Sequence, residues 1–311
     1  MMNSKLQTLK SKLYQLIWLI PLLHKSDYPA FKFLRSYIYK KLNRRKIIRH
    51  CTFKTKFFNL NYTGDLYNFI DNRIYRFGGF EKHILFFIRD VLSVYPLPTF
   101  IDIGANVGQH SLFAAQYANV VHAFEPFPEV LEQFRKNIAI NFIKNIHIHS
   151  VGVGYESAIK KFFLPPEKMK GRGSFLSGFN SETGQEMMLS IVKGDEYLFS
   201  QGIDTFELMK IDVEGYEKFV LMGLQTILTK VRPIIVMEIT KRMRESFQTF
   251  QELLDLLPKN YYLYLIERKN RSERSGAYLL KPMNWDAILD QADIVACPHE
   301  KQCQLTKTMI H

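Results

Sequence analysis

The stretch Thr99 to Glu125 constrains the fold of this chain more than any other. It runs Thr99-Phe-Ile-Asp-Ile-Gly-Ala-Asn-Val-Gly-Gln-His, continues through a helical run, and closes with Val120-Val-His-Ala-Phe-Glu125. Thr99 to Ile103 is a short β-branched and apolar run, the pattern of a parallel strand buried on both faces. Gly104 and Gly108 let the backbone turn tightly and approach a ligand, and Leu112, Phe113 and Ala115 carry a helix that packs back. Glu125 ends the second strand about twenty residues beyond the glycines, where an acid can hydrogen-bond ribose hydroxyls. The unit is a nucleoside-binding half-domain.

Charge decides the class of nucleoside. Dinucleotides and triphosphates need bare amides at a helix N-terminus, in G-x-G-x-x-G or with G-K-[ST], and no nearby anion. Here the turn is Gly104-x-Asn106-x-Gly108, without a lysine. Asp102 precedes it, Glu125 closes the next strand, and Asp212 and Glu214 lie in a later strand-end turn. Such a rim repels phosphate and suits a cation. S-adenosylmethionine, with a sulfonium, an amino group and a ribose diol, fits it where NAD or ATP does not. Carboxylates sharing one rim can also hold a divalent metal such as magnesium. Cys297, His299 and Cys303 lie close together but lack the fourth ligand and paired knuckle of a zinc site, so no metal ligands are assigned.

The net charge of +12 is concentrated at one end. Residues 1 to 56 carry fourteen lysines and arginines against a single acid, Asp27, which leaves the rest of the chain close to neutral. Leu6, Leu9, Leu13, Leu16, Ile17 and Ile20 fall at helical spacing before Pro21, and Lys40 to Arg49 packs six positive charges into ten residues. The uncharged run from Leu13 to Leu23 is short for a membrane span, which needs about twenty residues, and no small-residue cleavage site follows it. This basic, partly amphipathic extension is the part that would meet an anionic partner, such as the lipid surface on the inner face of a membrane. Three cysteines imply a reducing, cytoplasmic compartment, and the sequence does not reveal an oligomeric state.

The remaining chain alternates. Residues 57–98 read as a helical lead-in, with Ile84, Phe87, Ile88 and Val91 on one face and Glu81 brought near the glycine turn. Helices follow at Pro128 and after Gly215, strands at Ile146 to Ser150, at Leu208 to Gly215 with its turn, and at Pro233 to Glu238, Tyr261 to Ile266 and Ala277 to Leu280. A segment of about 152–193 interrupts the alternation, with strand-like Lys160 to Leu164 and Leu189 to Lys193 around a Gly/Ser/Met-rich stretch. A helix is expected over Phe247 to Leu257. The order predicts a mostly parallel, doubly wound α/β domain over 99–298, followed by a tail at 299–311.

These pieces resemble the FkbM-type methyltransferase family. The resemblance covers roughly Phe80 to Cys297 and rests on Asp102-Ile-Gly-Ala-Asn-Val-Gly108 with Ser111, on Phe124-Glu-Pro126, on Lys210-Ile-Asp-Val-Glu-Gly-Tyr-Glu217 and on Pro233-Ile-Ile-Val-Met-Glu238. It departs at Gly194-Asp-Glu196, where a leucine more often precedes the acidic pair, so the role of Asp195 stays open. The resemblance implies a Rossmann-like seven-stranded sheet, S-adenosylmethionine as cofactor, and methylation of a hydroxyl on a glycan, a glycolipid or a macrolide-like natural product. The expected cofactor-binding residues are Glu81, Asp102, Gly104, Asn106, Gly108, Glu125 and Asp212. Asp212 is the first candidate for the base that takes the hydroxyl proton, because ligands in open α/β sheets bind outside the carboxyl ends of the strands. Glu214, Glu238 and His110 are the other candidates. A nucleic-acid methyltransferase would use the basic arm for phosphates, but the turn after Ile211 lacks the Asn/Asp-Pro-Pro-Tyr/Phe pattern of base-amino methylation. A scaffold that had lost turnover would show a damaged cofactor motif, and this one is intact.

Overall fold

The computed structural model describes residues 52–176, 184–241, 245–270, 272, 275–302 and 305. The amphipathic run from Leu6, the basic run from Lys40 to Arg49, and Cys303 lie outside these residues. The chain divides into two compact units, one ending at Gly79 and one beginning at Phe80.

In the first unit an antiparallel hairpin, β1 (Thr52–Phe57) and β2 (Leu60–Asp65), leads into helix α1 (Phe69–Phe77). A hairpin therefore begins the stretch expected to be a helical lead-in. Asp71 explains how it closes: its carboxylate accepts from the Tyr62 hydroxyl at 2.6 Å and from the Asp65 amide at 2.8 Å. Gly64 is required beside it, since a Cβ there would stand 2.7 Å from Asp71 Cγ. Asn68 caps the helix through the Ile70 amide at 2.9 Å.

The second unit opens with α2 (Lys82–Leu92) and builds its sheet on β3 (Thr99–Ile103). Helix α3 (Gln109–Ala114), β4 (Val120–Phe124), α4 (Pro128–Ala139) and β5 (Ile146–His149) follow. The interrupting segment forms its own three-stranded sheet from β6 (Gly152–Gly154), β7 (Ala158–Phe163) and β8 (Glu186–Lys193), in the order β6-β8-β7. The chain then runs through α5 (Gly194–Ser200), β9 (Leu208–Ile211), α6 (Glu217–Gly223), α7 (Gln225–Val231), β10 (Ile234–Thr240), α8 (Phe250–Leu256), β11 (Tyr261–Arg268), β12 (Tyr278–Pro282) and β13 (Gln291–Pro298).

The main sheet has eight strands in the order β12-β11-β13-β10-β9-β3-β4-β5. The five from β10 to β5 are parallel, while β13 pairs antiparallel with both β10 and β11. This is the mostly parallel, doubly wound α/β sheet expected, with eight strands where the resemblance implies seven, and with β13 as a strand absent from the sequence reading. The order reverses at β3, whose neighbours are β9 and β4, and that switch point is where open α/β sheets bind ligands.

Period-2 alternation sorts the strand side chains onto two faces. Ile101, Ile103, Met209, Ile211, Ile235, Met237, Ile294 and Ala296 pack with α6 and α7 on one face. Phe100, Leu208, Ile234, Val236, Val295 and Cys297 pack with Ile84, Phe87 and Val91 of α2 on the other. By the same alternation Asp102, Lys210, Glu238 and Asp293 fall on the α2 face, one step past the apolar layer toward the carboxyl ends of β3, β9 and β10. Cys297 belongs to this apolar layer, and no metal-ligand group occurs among the described residues.

Candidate active site

The glycine turn after β3 is shaped by two contacts that admit no side chain. Gly104 has φ +83, and a Cβ there would lie 1.9 Å from the Asp212 carbonyl oxygen. Gly108 has φ +79, and its Cβ would enter the Phe134 ring at 2.0 Å. The first presses the turn after β3 against the turn after β9; the second lets α4 close on α3. Asn106 between them has φ +55, and its own Oδ1 accepts from the Val107 amide at 2.7 Å. Glu81 and Glu214 are also left-handed, with φ +47 and +52. Backbone in this region costs free energy in residues other than glycine and concentrates at functional sites.

Glu125 braces the turn. Its Oε2 accepts from the Asn106 amide at 2.9 Å and its Oε1 from the Phe127 amide at 2.8 Å. Burial pushes its carboxyl up to about 7, against the pull of the two amides. Asp102 is fully buried; its Oδ2 accepts from the Ser111 hydroxyl at 2.6 Å, while its Oδ1 has no hydrogen bond. Burial raises this carboxyl too, opposed by Lys210 and Ser111.

Lys210 stands in register with Asp102 on the neighbouring parallel strand. Its ammonium is 3.8 Å from Asp102 Oδ1 and donates to Asp212 Oδ2 at 2.8 Å. Burial opposes its charge, yet Asp212, Asp102 and Glu81 outweigh that cost and hold it above the ordinary lysine range. Asp212 is the open member of the group, with its side chain 31% exposed against 5% for Lys210.

Around Asp212 stand the other acids. Glu238 on β10 is paired in register with Asp293 on β13 and accepts from the Gln291 amide group at 3.0 Å. Burial pushes Glu238 up to about 10, and Asp212 and Asp293 add to the effect. Burial, with Asp212 adding, pushes Glu214 up to about 8 although Arg172 lies 3.5 Å away. Glu81 is raised well above the usual carboxylate range by burial, then by Asp293 and Asp212. The Phe80 amide donates to Gln109 Oε1 at 2.7 Å, which ties the segment before α2 to the start of α3. His110 Nε2 then sits 3.7 Å from Glu81 Oε2 without a hydrogen bond, and burial holds the ring neutral.

The structure thus brings together every residue expected from the sequence. The glycine turn, Asp102 and Glu125 lie at the switch point, and Asp212, Glu214, Glu238, His110 and Glu81 surround its neighbour. Asp293, with His83 Nε2 3.5 Å away, was not foreseen because its strand went unread. Lys210 was visible only as part of a motif; its signal was the i, i+2 spacing to Asp212, which puts both on one strand face. Asp195 caps α7, accepting from the Thr226 and Ile227 amides at 2.9 and 2.8 Å, and lies outside this group. Residues 164–176 overlie the turns: a Cβ on Gly171 would be 1.7 Å from Asn106 Nδ2, and the Ser174 hydroxyl donates to the Glu214 carbonyl at 3.0 Å.

Comparison with known proteins gives the family of the chain. The model of the Methyltransferase FkbM domain matches residues 102–264, just over half of the chain. The chain is 25% identical over 172 residues to the 31-O-demethyl-FK506 methyltransferase FkbM of Streptomyces tacrolimicus, covering 45% of this chain and 64% of the relative. It is 27% identical over 135 residues to the hexuronic acid methyltransferase AglP of Haloferax volcanii, covering 43% and 53%. The matches therefore span less than two thirds of either relative's length. Among solved structures, the methyltransferase FkbM from Methylobacillus flagellatus aligns with a TM-score of 0.41 at 13% identity, over 64% of this chain and 43% of that one.

Proposed function

The chain belongs to the FkbM methyltransferase family, and we propose that it is an S-adenosylmethionine-dependent O-methyltransferase acting on a sugar hydroxyl of a glycan or glycolipid. The observation that carries this reading is Asp212: a half-exposed carboxylate at the end of β9, fixed by Lys210 and pressed by its own backbone against the glycine turn.

The residues present fit the cofactor. The glycine turn leaves a cradle that a Cβ would fill, Glu125 would offer its remaining lone pairs to a ribose diol, and the partly exposed Glu81 is the acid left to meet a cationic group, since Asp102 Oδ1 is buried against Lys210. When bound, S-adenosylmethionine supplies an electrophilic methyl group whose C–S electron pair leaves with sulfur. Asp212 would take the acceptor's O–H proton, which makes that oxygen the nucleophile toward the methyl group. Glu214 and Glu238 hold protons near neutrality, which suits them to donate hydrogen bonds to a polyol and not to act as the base. Holding acceptor and methyl in line contributes about 7 to 11 kcal/mol toward the barrier.

The hexuronic acid methyltransferase among the relatives supports a sugar acceptor. The 31-O-demethyl-FK506 methyltransferase supports a second reading, a natural-product hydroxyl. The basic segment 1–56 would place the enzyme against an anionic membrane surface, beside glycans built on lipid carriers; no described helix is long and apolar enough to cross a membrane. Calorimetry with S-adenosylmethionine and S-adenosylhomocysteine tests the cofactor, with NAD as the ligand expected not to bind. Binding of NAD in place of either would overturn the reading.

A further inference from the structure

Two carboxylates from adjacent strands share a single buried cation in this site, and the cation belongs to the chain. Asp102 and Lys210 are cross-strand neighbours, and Asp212 follows Lys210 by two residues, one past the end of β9 at Ile211. The ammonium therefore reaches both, at 3.8 Å and 2.8 Å, in a position only 5% exposed. Among the described residues Asp102 otherwise accepts a side-chain hydrogen bond only from Ser111, on its other oxygen. We propose that Lys210 is a positioning residue that takes the place of a divalent metal between Asp102 and Asp212, so that the rim carries its own counter-charge and orients Asp212 without a bound ion.

The argument is one of space and charge. Magnesium or manganese would draw carboxylate oxygens to about 2.0–2.2 Å and would need the volume between these two side chains. The Lys210 Nζ already fills it, with three donors and one positive charge. Two carboxylates buried side by side without a cation would be costly, because each charge would lose water and gain a like neighbour. Removal of the ammonium leaves a pair of acid side chains that can lower their cost by capturing a cation from solution.

The proposal takes from the functional reading only the role of Asp212, and its test needs no acceptor. Binding of Mn²⁺ alone is followed by electron paramagnetic resonance in the full-length wild type, in Lys210→Met, in Asp212→Asn and in Lys210→Met/Asp212→Asn. Wild type is expected to show no Mn²⁺ binding that depends on Asp212. Lys210→Met should bind one Mn²⁺ roughly tenfold or more tighter than wild type, and the double variant should lose it. Lys210→Gln, which keeps a donor toward Asp212, serves if the methionine variant does not fold by circular dichroism. A wild-type Mn²⁺ site abolished by Asp212→Asn would overturn the proposal, and so would a folded lysine variant that binds Mn²⁺ no better than wild type. Calorimetry of S-adenosylhomocysteine on the same proteins reports separately on the cofactor reading, since its failure leaves the Mn²⁺ comparison unchanged.

Discussion

Replacement of Glu125 separates two roles that the structure gives to one side chain. Its carboxylate accepts from the Asn106 and Phe127 amides, at 2.9 and 2.8 Å, and is the expected acceptor for the cofactor's ribose. Glu125→Ala leaves both amides without that acceptor, at about 1–3 kcal/mol each when they are buried, so stability should fall by several kcal/mol. Glu125→Gln keeps the shape and one acceptor oxygen, so one of the two amides stays paired while the other faces an NH2, and the smaller loss of stability is measured beside the ligand effect. Hydrogen bonds to a charged group contribute about 1.5–3 kcal/mol, and each 1.4 kcal/mol is about tenfold in affinity, so Glu125→Gln should bind S-adenosylhomocysteine roughly 10- to 150-fold more weakly at pH 8. Acidity adds a second signature. With the carboxyl pushed up to about 7 by burial, wild type carries a proton there below that pH and loses affinity as pH falls from 8 to 6, by about tenfold. The Phe127 and Asn106 amides and Lys210 oppose that upward shift, and Asp102 adds to it. Calorimetric titration of both proteins at pH 6, 7 and 8 measures this. Equal affinities at pH 8, together with equal pH slopes, would refute the assignment of Glu125 to the ligand.

Gly104→Ala should abolish S-adenosylhomocysteine binding and lower the thermal midpoint, because its Cβ would lie 1.9 Å from the Asp212 carbonyl at φ +83; wild-type calorimetry on this variant would contradict the close approach of the two turns. Glu217 is buried, and burial pushes its carboxyl up to about 7 although it accepts from the Val213 and Gly215 amides. Its contribution to stability is therefore full below about pH 4.5 and lost as pH rises through 7, worth up to about 3 kcal/mol. Glu217→Gln should flatten the decline in unfolding free energy between pH 5 and 8, and an unchanged slope in chemical denaturation would show that the group titrates normally. A chain beginning at Thr52, which keeps the β1–β2 hairpin whole, should lose co-sedimentation with anionic vesicles that the full chain shows at low salt, since each basic residue near such a surface contributes about 1 kcal/mol; equal sedimentation of the two would remove the arm as a membrane contact.

The sequence declares the parts of this fold that local physics dictates. The β3 turn could be read because Gly104 and Gly108 have no alternative to a close approach, and Glu125 because its distance from them fixes it at the next strand end. The parallel strands β3, β4, β9 and β10 announce themselves as short apolar runs. Strand β13 does not: Gln291 to Asp293 is polar and only Ile294 to Cys297 is apolar, so its place between β10 and β11 comes from long-range pairing. Asp293 went unseen with it. The β1–β2 hairpin was hidden for a similar reason, since its register rests on Asp71, six residues beyond the second strand. Lys210 was legible as a motif letter, whereas its place between Asp102 and Asp212 depends on a cross-strand register that no sequence window contains.

Transfer of labelled methyl from S-adenosylmethionine tests the central claim most directly. The acceptors are fractions of cells in which the gene has been deleted, separated into polysaccharide, glycolipid, small-molecule and nucleic-acid pools. Wild-type protein should label the polysaccharide or glycolipid pool with a base-stable methyl ether, and Asp212→Asn should reduce that rate by about 10²- to 10⁴-fold while still binding S-adenosylhomocysteine. Label in nucleic acid alone, or an Asp212→Asn rate equal to wild type, would contradict the account.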